Sequence, residues 1–308
     1  MKTLLVVTDL GTHIVTHVVS YVGAYSRVSY VSLVAVCAAF LINSCALAAP
    51  KSELWDFWDQ VGSAEITPET IDHSAWQSFL NEYLVTDDPE NINLVRYQAI
   101  SAQGAKGVKL LNQYIASLEA VDPRLLSKDE QFAYWVNLYN AATVRVIANA
   151  YPVKSITKTG EGFFSFGPWD DAVAKIAGKE VTLNDIEHRI LRPIWQDSRI
   201  HFVVNCASIG CPNLHQTALT AANHQVILDQ ARSDFINHPR AVSVKDDQLV
   251  LSSIFDWYAE DFGDSQTAVL KYIKKYLIED RSKSVQRVIA QPTVNVSYDY
   301  DWNLNVSK

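Results

Sequence analysis

A cysteine at the end of an apolar stretch is the residue of this chain with the clearest potential for chemistry. Cys206 ends the run 201–206 (HFVVNC), and residues 207–210 (ASIG) follow it. We interpret the run as a short buried strand that gives way to a turn. A nucleophile in such a place has an exposed side chain, and nearby backbone N–H groups can hold an anion. Cys206 is therefore our candidate nucleophile.

A reactive cysteine needs a base or a cation that lowers its pKa. The nearest histidines in the sequence are His188 and His201. His201 lies five residues before Cys206 on the predicted strand, and an odd offset in a strand points two side chains to opposite faces. His188, which lies on a separate predicted helix, is therefore our candidate base.

Two asparagines can complete the site. Asn137 and Asn140 are three residues apart on a predicted helix, so they share a face and can orient an imidazole or line an oxyanion pocket. With Cys206 and His188 they would form a Cys–His–Asn set of the kind that papain-like hydrolases use, although the chain order differs. The alternative is that both amides bridge neighbouring backbone and that the thiol is an inert core residue.

The second cysteine of the predicted mature chain, Cys211, leaves another reading open. In an oxidising compartment Cys206 and Cys211 can pair as a structural or redox-active disulfide. C-x4-C is not a usual zinc spacing, and a four-ligand site would need His188 and His215 to converge on the cysteines. We predict no metal and no cofactor.

The start of the chain predicts export. The apolar run 31–42 (VSLVAVCAAFLI) is shorter than the roughly 20 residues that a membrane span needs, and 46–48 (ALA) has the form of a signal-peptidase site. We predict a signal peptide over 1–48 and a periplasmic or secreted protein. A membrane anchor over 29–49 and lipidation at Cys45 are the alternatives.

Composition narrows the range of partners. Apolar residues make up 48% of the 308, which is enough for a sizeable core, and charged residues make up 19%. The net charge is −8 and no long basic run exists, so we exclude a nucleic-acid partner. We expect an unidentified substrate or ligand in the cell envelope, and membrane contact only through an uncleaved N-terminal segment.

Helical and alternating patterns place these residues in an α+β fold. We predict a single domain in which a helical N-terminal layer packs on a small, mostly antiparallel sheet. Its parts are an extension over 49–89 and a main domain over 90–305. The predicted helices cover 51–85, 106–120, 127–151, 182–191, 221–237 and 265–278, and the predicted strands cover 201–206, 242–245, 248–251 and 294–302.

Several aromatic segments suggest binding rather than catalysis. Residues 255–263 and 298–302 combine Trp and Tyr with acids, and the loop 160–169 (GEGFFSFGPW) is also rich in aromatic side chains. They can line a carbohydrate or peptide groove of a non-catalytic binding module. The alternative is that the rings cover the edge of the core while the acids face solvent.

Six stretches together resemble one known family, the domain-of-unknown-function family 547. The resemblance extends over roughly residues 90–305 and implies a fold relationship but no established activity. The stretches are 132–141 (FAYWVNLYNA), 183–188 (LNDIEH), 199–202 (RIHF), 206–212 (CASIGCP), 255–263 (FDWYAEDFG) and 298–302 (YDYDW).

Overall fold

Helices supply most of the regular structure in residues 50–60, 70–160, 166–278 and 283–307, which the computed structural model describes. The α-helices are α1 (Ser74–Tyr83), α2 (Tyr97–Ser101), α3 (Gly107–Glu119), α4 (Lys128–Ala150), α5 (Arg192–Trp195), α6 (His224–Ile236), α7 (Ile254–Trp257), α8 (Gln266–Tyr276) and α9 (Lys283–Ile289). A π-helix (Asp185–Leu191) runs directly into α5. The predicted signal segment 1–48 and part of the aromatic loop, 161–165, lie outside the described residues.

The strands form small separate sheets. β1 (Leu84–Val85) pairs with β2 (Leu94–Val95), and β3 (Ala172–Ile176) pairs with β4 (Lys179–Thr182), both antiparallel. β5 (Val242–Lys245) pairs antiparallel with β6 (Gln248–Ser252), and β6 pairs parallel with β7 (Val296–Asp299). The α+β class is confirmed, with the strands divided among these sheets rather than joined in one.

Helix α4 lies at the centre because it is buried on nearly every face. Ser127 caps it by accepting a hydrogen bond from the Glu130 backbone N–H at 3.3 Å, as the sequence pattern predicts. Pro152 follows its end and cannot continue it. Asn137 and Asn140 point into the interior with exposures of 0% and 3%. Buried amides need hydrogen-bond partners, and both side chains find theirs in the backbone: Asn137 at Leu219, and Asn140 at Val203 and Asn205.

The residues before α1 pack on the π-helix and α5. Backbone N–H groups of Glu53 and Trp55 donate to the carbonyls of His188 and Arg189, each at 3.0 Å. Trp58 is 1% exposed and meets Trp135 of α4 edge-on, with ring centroids 5.0 Å apart. The sequence predicts a helix over 51–85. The described residues of this range instead form an extended segment, a 3-10 turn (Asp56–Trp58) and α1. The described residues between 50 and 307 form one compact unit.

The predicted strand over 201–206 is wrong. A 3-10 helix (Ser198–Phe202) covers the first part of this stretch, and Val203 and Val204 both donate to the carbonyl of Ile200. Asp197 caps this helix through the backbone N–H of Arg199. A short, fully buried apolar run does not distinguish strand from helix by periodicity alone, and here the local capping favours the helix. The argument that His201 and Cys206 point to opposite faces of a strand therefore no longer applies.

Among the described residues, no helix has both the length and the apolar character that crossing a bilayer requires.

Candidate functional site

A tight turn brings the two cysteines into contact. Ala207 has a φ of 58°, which is uncommon for a residue with a side chain and reverses the chain just after Cys206. The backbone N–H of Cys211 donates to the carbonyl of Ser208 at 3.1 Å, and the N–H of Cys206 donates to the Cys211 sulfur at 2.9 Å. The two Sγ atoms lie 2.8 Å apart as free thiols.

The two thiols have different surroundings. Cys206 is partly exposed, whereas Cys211 is 3% exposed. Burial raises the pKa of Cys206, but its side-chain hydrogen bonds with Cys211, Ser208 and Tyr300 lower it, and the net result is a pKa below the ordinary value. Burial and the neighbouring Cys206 raise the pKa of Cys211 well above the ordinary value. The accessible thiol is therefore the one that ionises first.

The hydroxyl groups at the thiol come from two distant parts of the chain. The Tyr300 hydroxyl lies 2.9 Å from the Cys206 sulfur, and the Ser208 hydroxyl lies 3.2 Å from it. The two hydroxyls are 2.8 Å apart. Hydrogen bonds to the charged form of a group favour that form, so this pair is placed to stabilise a Cys206 thiolate.

Asn140 holds the chain just before Cys206. Its amide nitrogen donates to the carbonyl of Val203 at 2.9 Å, and its amide oxygen accepts from the N–H of Asn205 at 2.8 Å. Asn205 in turn donates to the carbonyl of Pro212 at 2.7 Å and accepts from the N–H of Ala207 at 2.9 Å. These two buried amides therefore fasten both ends of the cysteine turn.

The C-terminal segment covers the other side of the turn. Backbone N–H groups of Ile209 and Gly210 donate to the carbonyls of Asn303 and Asp301, each at 2.8 Å. A Cβ atom on Gly210 would lie 2.8 Å from the backbone nitrogen of Asp301 and 3.0 Å from the Tyr300 ring. Only glycine permits this approach, which brings the Tyr300 hydroxyl to the thiol.

The other predicted site residues lie elsewhere. The amide of Asn137 bonds the backbone of Leu219 in both directions, at 2.8 and 3.1 Å, so it bridges backbone as the alternative reading had it. His188 accepts from Arg192 at 3.1 Å, and burial lowers its pKa to about 4. Within the described residues, the structure brings neither His188 nor Asn137 to hydrogen-bonding distance of the Cys206 sulfur. Their catalytic roles remain predictions.

A buried charged cluster lies beside the thiol site and consists of Glu187, Arg192, His201 and Asp261. His201 Nε2 lies 2.6 Å from Asp261, and its Nδ1 lies 3.4 Å from Glu187. Arg192 donates to Asp261 at 2.6 Å. Burial lowers the pKa of His201. Its interactions with the carboxylates of Asp261 and Glu187 raise this pKa by more than burial lowers it, so the net shift is upward.

This cluster acts on the thiol through its charge. The negative charge of Glu187 is one of the influences that raise the pKa of Cys206. Burial raises the pKa of Glu187 itself, but its positive neighbours lower it to about 2, so this carboxylate is charged at neutral pH. No group of three or more His, Cys, Asp or Glu side chains in the described residues is arranged to hold a metal ion.

The central part of this arrangement matches a family model. Residues 123–236 match the family described as "Protein of unknown function, DUF547". This match supports a DUF547 assignment for residues 123–236. The matched segment includes α4 with Asn140, the π-helix with Glu187 and the turn with both cysteines. The two resembling stretches at 255–263 and 298–302 lie beyond it. Neither the curated proteins nor the solved structures yielded a match to the chain.

Three residues that surround the two thiols in this chain were not predicted from the sequence. Ser208 was within a resembling stretch, but its role depends on the turn at Ala207. Tyr300 is 94 residues from Cys206, and nothing in local spacing pairs them. Asn205 follows an apolar run, and a polar residue at the end of such a run was the available signal that its amide has a structural role.

Proposed function

We propose that the DUF547 domain of this chain carries a thiol–disulfide exchange site. Cys206 is the attacking thiol and Cys211 is the resolving thiol. The observation that carries the proposal is the 2.8 Å separation between the two sulfur atoms, with the partly exposed sulfur also hydrogen-bonded to Tyr300 and Ser208. A low-pKa, accessible cysteine beside a second thiol is the arrangement that exchange chemistry requires.

The reaction has two steps. First, the Cys206 thiolate attacks one sulfur of a substrate disulfide, an S–S bond forms between Cys206 and that sulfur, and the other substrate sulfur leaves as a thiolate that takes up a proton. Second, Cys211 gives up its proton and attacks Cys206, which releases the remaining substrate thiol. The substrate disulfide is reduced by two electrons and the protein dithiol is oxidised by two. A thiol reductant then restores the dithiol.

The surroundings of the sulfur favour exchange over hydrolysis. A cysteine hydrolase needs a base that takes the thiol proton and later delivers it to the leaving group. Among the described residues, the hydrogen-bond neighbours of the Cys206 sulfur are Cys211, Ser208 and Tyr300, and none is a histidine. The lowered pKa of Cys206 comes from these neighbours. A cysteine-dependent hydrolase or transferase with His188 remains the untested prediction from sequence.

Export of the protein is part of this proposal. The predicted signal segment over 1–48 would deliver the dithiol to an oxidising compartment, where disulfide substrates form and persist. Intact mass of the protein recovered from the cell envelope tests this location. Loss of residues 1–48 supports export with cleavage, and recovery of the full chain from the cytoplasm contradicts it.

The trapping of a mixed disulfide tests the chemistry. Cys211→Ser keeps a hydroxyl donor near Cys206 but removes the resolving sulfur. In protein without residues 1–48, which contain Cys37 and Cys45, we expect this variant, mixed with glutathione disulfide, to gain one glutathionyl group, while the protein with both Cys206 and Cys211 loses the mass of two hydrogen atoms. Cys206→Ser is the matched control and should not react, because Cys211 is buried. A wild type that keeps a stable glutathionyl adduct, or that does not react, contradicts the proposal.

A further inference from the structure

Three aromatic rings form a platform whose edge is part of the thiol site. The platform consists of Trp257, Tyr300 and Trp302. The Tyr300 ring lies 4.8 Å from Trp257 and 4.6 Å from Trp302, and the two indoles stack with centroids 5.5 Å apart. Each of the three side chains is partly exposed. The rings therefore present an apolar surface that ends at the Tyr300 hydroxyl, 2.9 Å from the Cys206 sulfur.

The exposed aromatic surface continues away from the thiol. Phe166 meets Trp302 edge-on with centroids 5.6 Å apart, and it is 39% exposed. Trp169 lies 6.5 Å from Trp302 and is also partly exposed. A molecule lying along these rings would reach from Phe166 to the thiol.

Three acidic residues without a basic partner are chain neighbours of the platform residues. Asp256, Asp299 and Asp301 are exposed, and none of them forms an ion pair with a side chain in the described residues. One oxygen of Asp299 accepts from the backbone of Tyr300, and one oxygen of Asp301 accepts from the backbone of Asn303. The carboxylates of Asp299 and Asp301 are thus oriented by the backbone while their charge remains available.

We infer that the platform and these acids form a docking surface for a cationic peptide segment. That segment carries the disulfide that Cys206 attacks, so this inference rests on the proposed exchange function and names its substrate class. Lys and Arg side chains are attracted both to aromatic faces and to carboxylates. A sugar also stacks on aromatic rings and can hydrogen-bond to carboxylates, but it offers no sulfur to the thiol.

The experiment compares three disulfides of different charge. Two are dimers of short synthetic peptides in which one cysteine is flanked by lysines or by glutamates, and the third is the uncharged 2-hydroxyethyl disulfide. The measured quantity is the rate at which the protein dithiol is oxidised, followed by acid quench and mass spectrometry. At low salt we expect the lysine disulfide to react about tenfold faster than the glutamate disulfide, and added salt should reduce this preference.

Variants in which aspartates are replaced by uncharged asparagines test which acids cause the preference for the lysine disulfide. Asp299→Asn combined with Asp301→Asn keeps the oxygen that accepts each backbone hydrogen bond, and it should lower the preference to about twofold. The matched control is Asp246→Asn combined with Asp247→Asn, which changes the net charge equally. Asp246 and Asp247 are exposed in the turn between β5 and β6, at the start of β6. Asp299 pairs with Ser252 at the other end of β6, so the control residues lie away from the platform. The control should keep the preference.

The outcomes distinguish a failure of the docking inference from a failure of the proposed exchange function. If 2-hydroxyethyl disulfide oxidises the dithiol but the two peptides react at equal rates, the docking surface is wrong and exchange stands. The inference also fails if the control variant loses the preference as fully as the variant at 299 and 301. If none of the three disulfides reacts, exchange itself is wrong and the docking inference falls with it.

Discussion

Tyr300→Phe removes one hydroxyl and keeps the ring, so it isolates the hydrogen bond that Tyr300 gives the Cys206 thiolate. A hydrogen bond to a charged group contributes about 1.5–3 kcal/mol, and one pKa unit corresponds to about 1.36 kcal/mol. Loss of the bond, which spans 2.9 Å, should therefore raise the Cys206 pKa by roughly 1–2 units. The Ser208 hydroxyl, now without its neighbour at 2.8 Å, can turn fully to the thiolate, so we expect a rise near one unit.

The rate of alkylation by iodoacetamide as a function of pH measures this pKa. Both proteins should carry Cys211→Ser and lack residues 1–48, which contain Cys37 and Cys45, so that a single thiol reports. Tyr272→Phe is the matched control, because Tyr272 is a partly exposed tyrosine whose hydroxyl lies 3.2 Å from Ser198 and not beside a cysteine. It should leave the pKa of Cys206 unchanged. Circular dichroism of each variant confirms that the fold is intact.

An unchanged or lower Cys206 pKa in Tyr300→Phe would refute the reasoning. A lower value would mean that the thiol donates to the Tyr300 oxygen and that the hydroxyl stabilises the neutral form instead. In that case the low pKa of the thiol, and with it the assignment of Cys206 as the attacking group, would lose its main support.

Two further predictions concern stability. Asn140→Ala leaves the carbonyl of Val203 and the N–H of Asn205 buried without partners. The free energy of unfolding, measured with urea, should therefore fall by about 3 kcal/mol. The control is Asn149→Ala on the exposed side of α4, which should change this free energy by less than about 0.5 kcal/mol. Because the pKa of Glu187 is lowered in the folded protein, this residue contributes about 3 kcal/mol to the free energy of unfolding. The contribution is present above pH 4.5 and is lost as the pH falls toward 2. The raised pKa of His201 contributes stability that is complete below pH 6.5 and lost as the pH rises through that pKa. Unfolding free energies measured across pH should therefore decline on both sides, and His201→Gln should abolish the alkaline decline; a variant that keeps this decline would contradict the assignment.

Local patterns predicted much of the fold. Ser127 with Glu130 is a capping pattern that predicts the start of α4, and Thr182 with Asp185 is a similar pattern at the start of the π-helix, where Asp185 accepts from the Thr182 backbone at 3.1 Å. Asp246 and Asp247, which separate the predicted strands 242–245 and 248–251, both have positive φ values in the turn. Such features depend on neighbours a few residues away, and propensity and capping determine them.

The candidate site was predictable only in part, because its contacts are long-range. Cys206 and Cys211 were found from their types and spacing. The stretch 201–206 was wrongly predicted as a strand, because a short buried apolar run has no periodicity that distinguishes a strand from a helix. The contact between Tyr300 and Cys206 arises from tertiary packing of the C-terminal segment on the cysteine turn, which no local pattern encodes. The same holds for His201 and Asp261, 60 residues apart.

The central claim is that Cys206 and Cys211 act as one two-electron couple. The most direct measurement is a redox titration in which the protein is equilibrated in glutathione buffers of increasing oxidation, quenched with an alkylating reagent and weighed intact. For protein without residues 1–48, which contain Cys37 and Cys45, we predict a single transition from a protein with two alkylated thiols to one with none, lighter by two hydrogen atoms, without a lasting glutathionyl adduct. Two alkylated thiols at every buffer composition, or a stable glutathionyl adduct in the wild type, would contradict it.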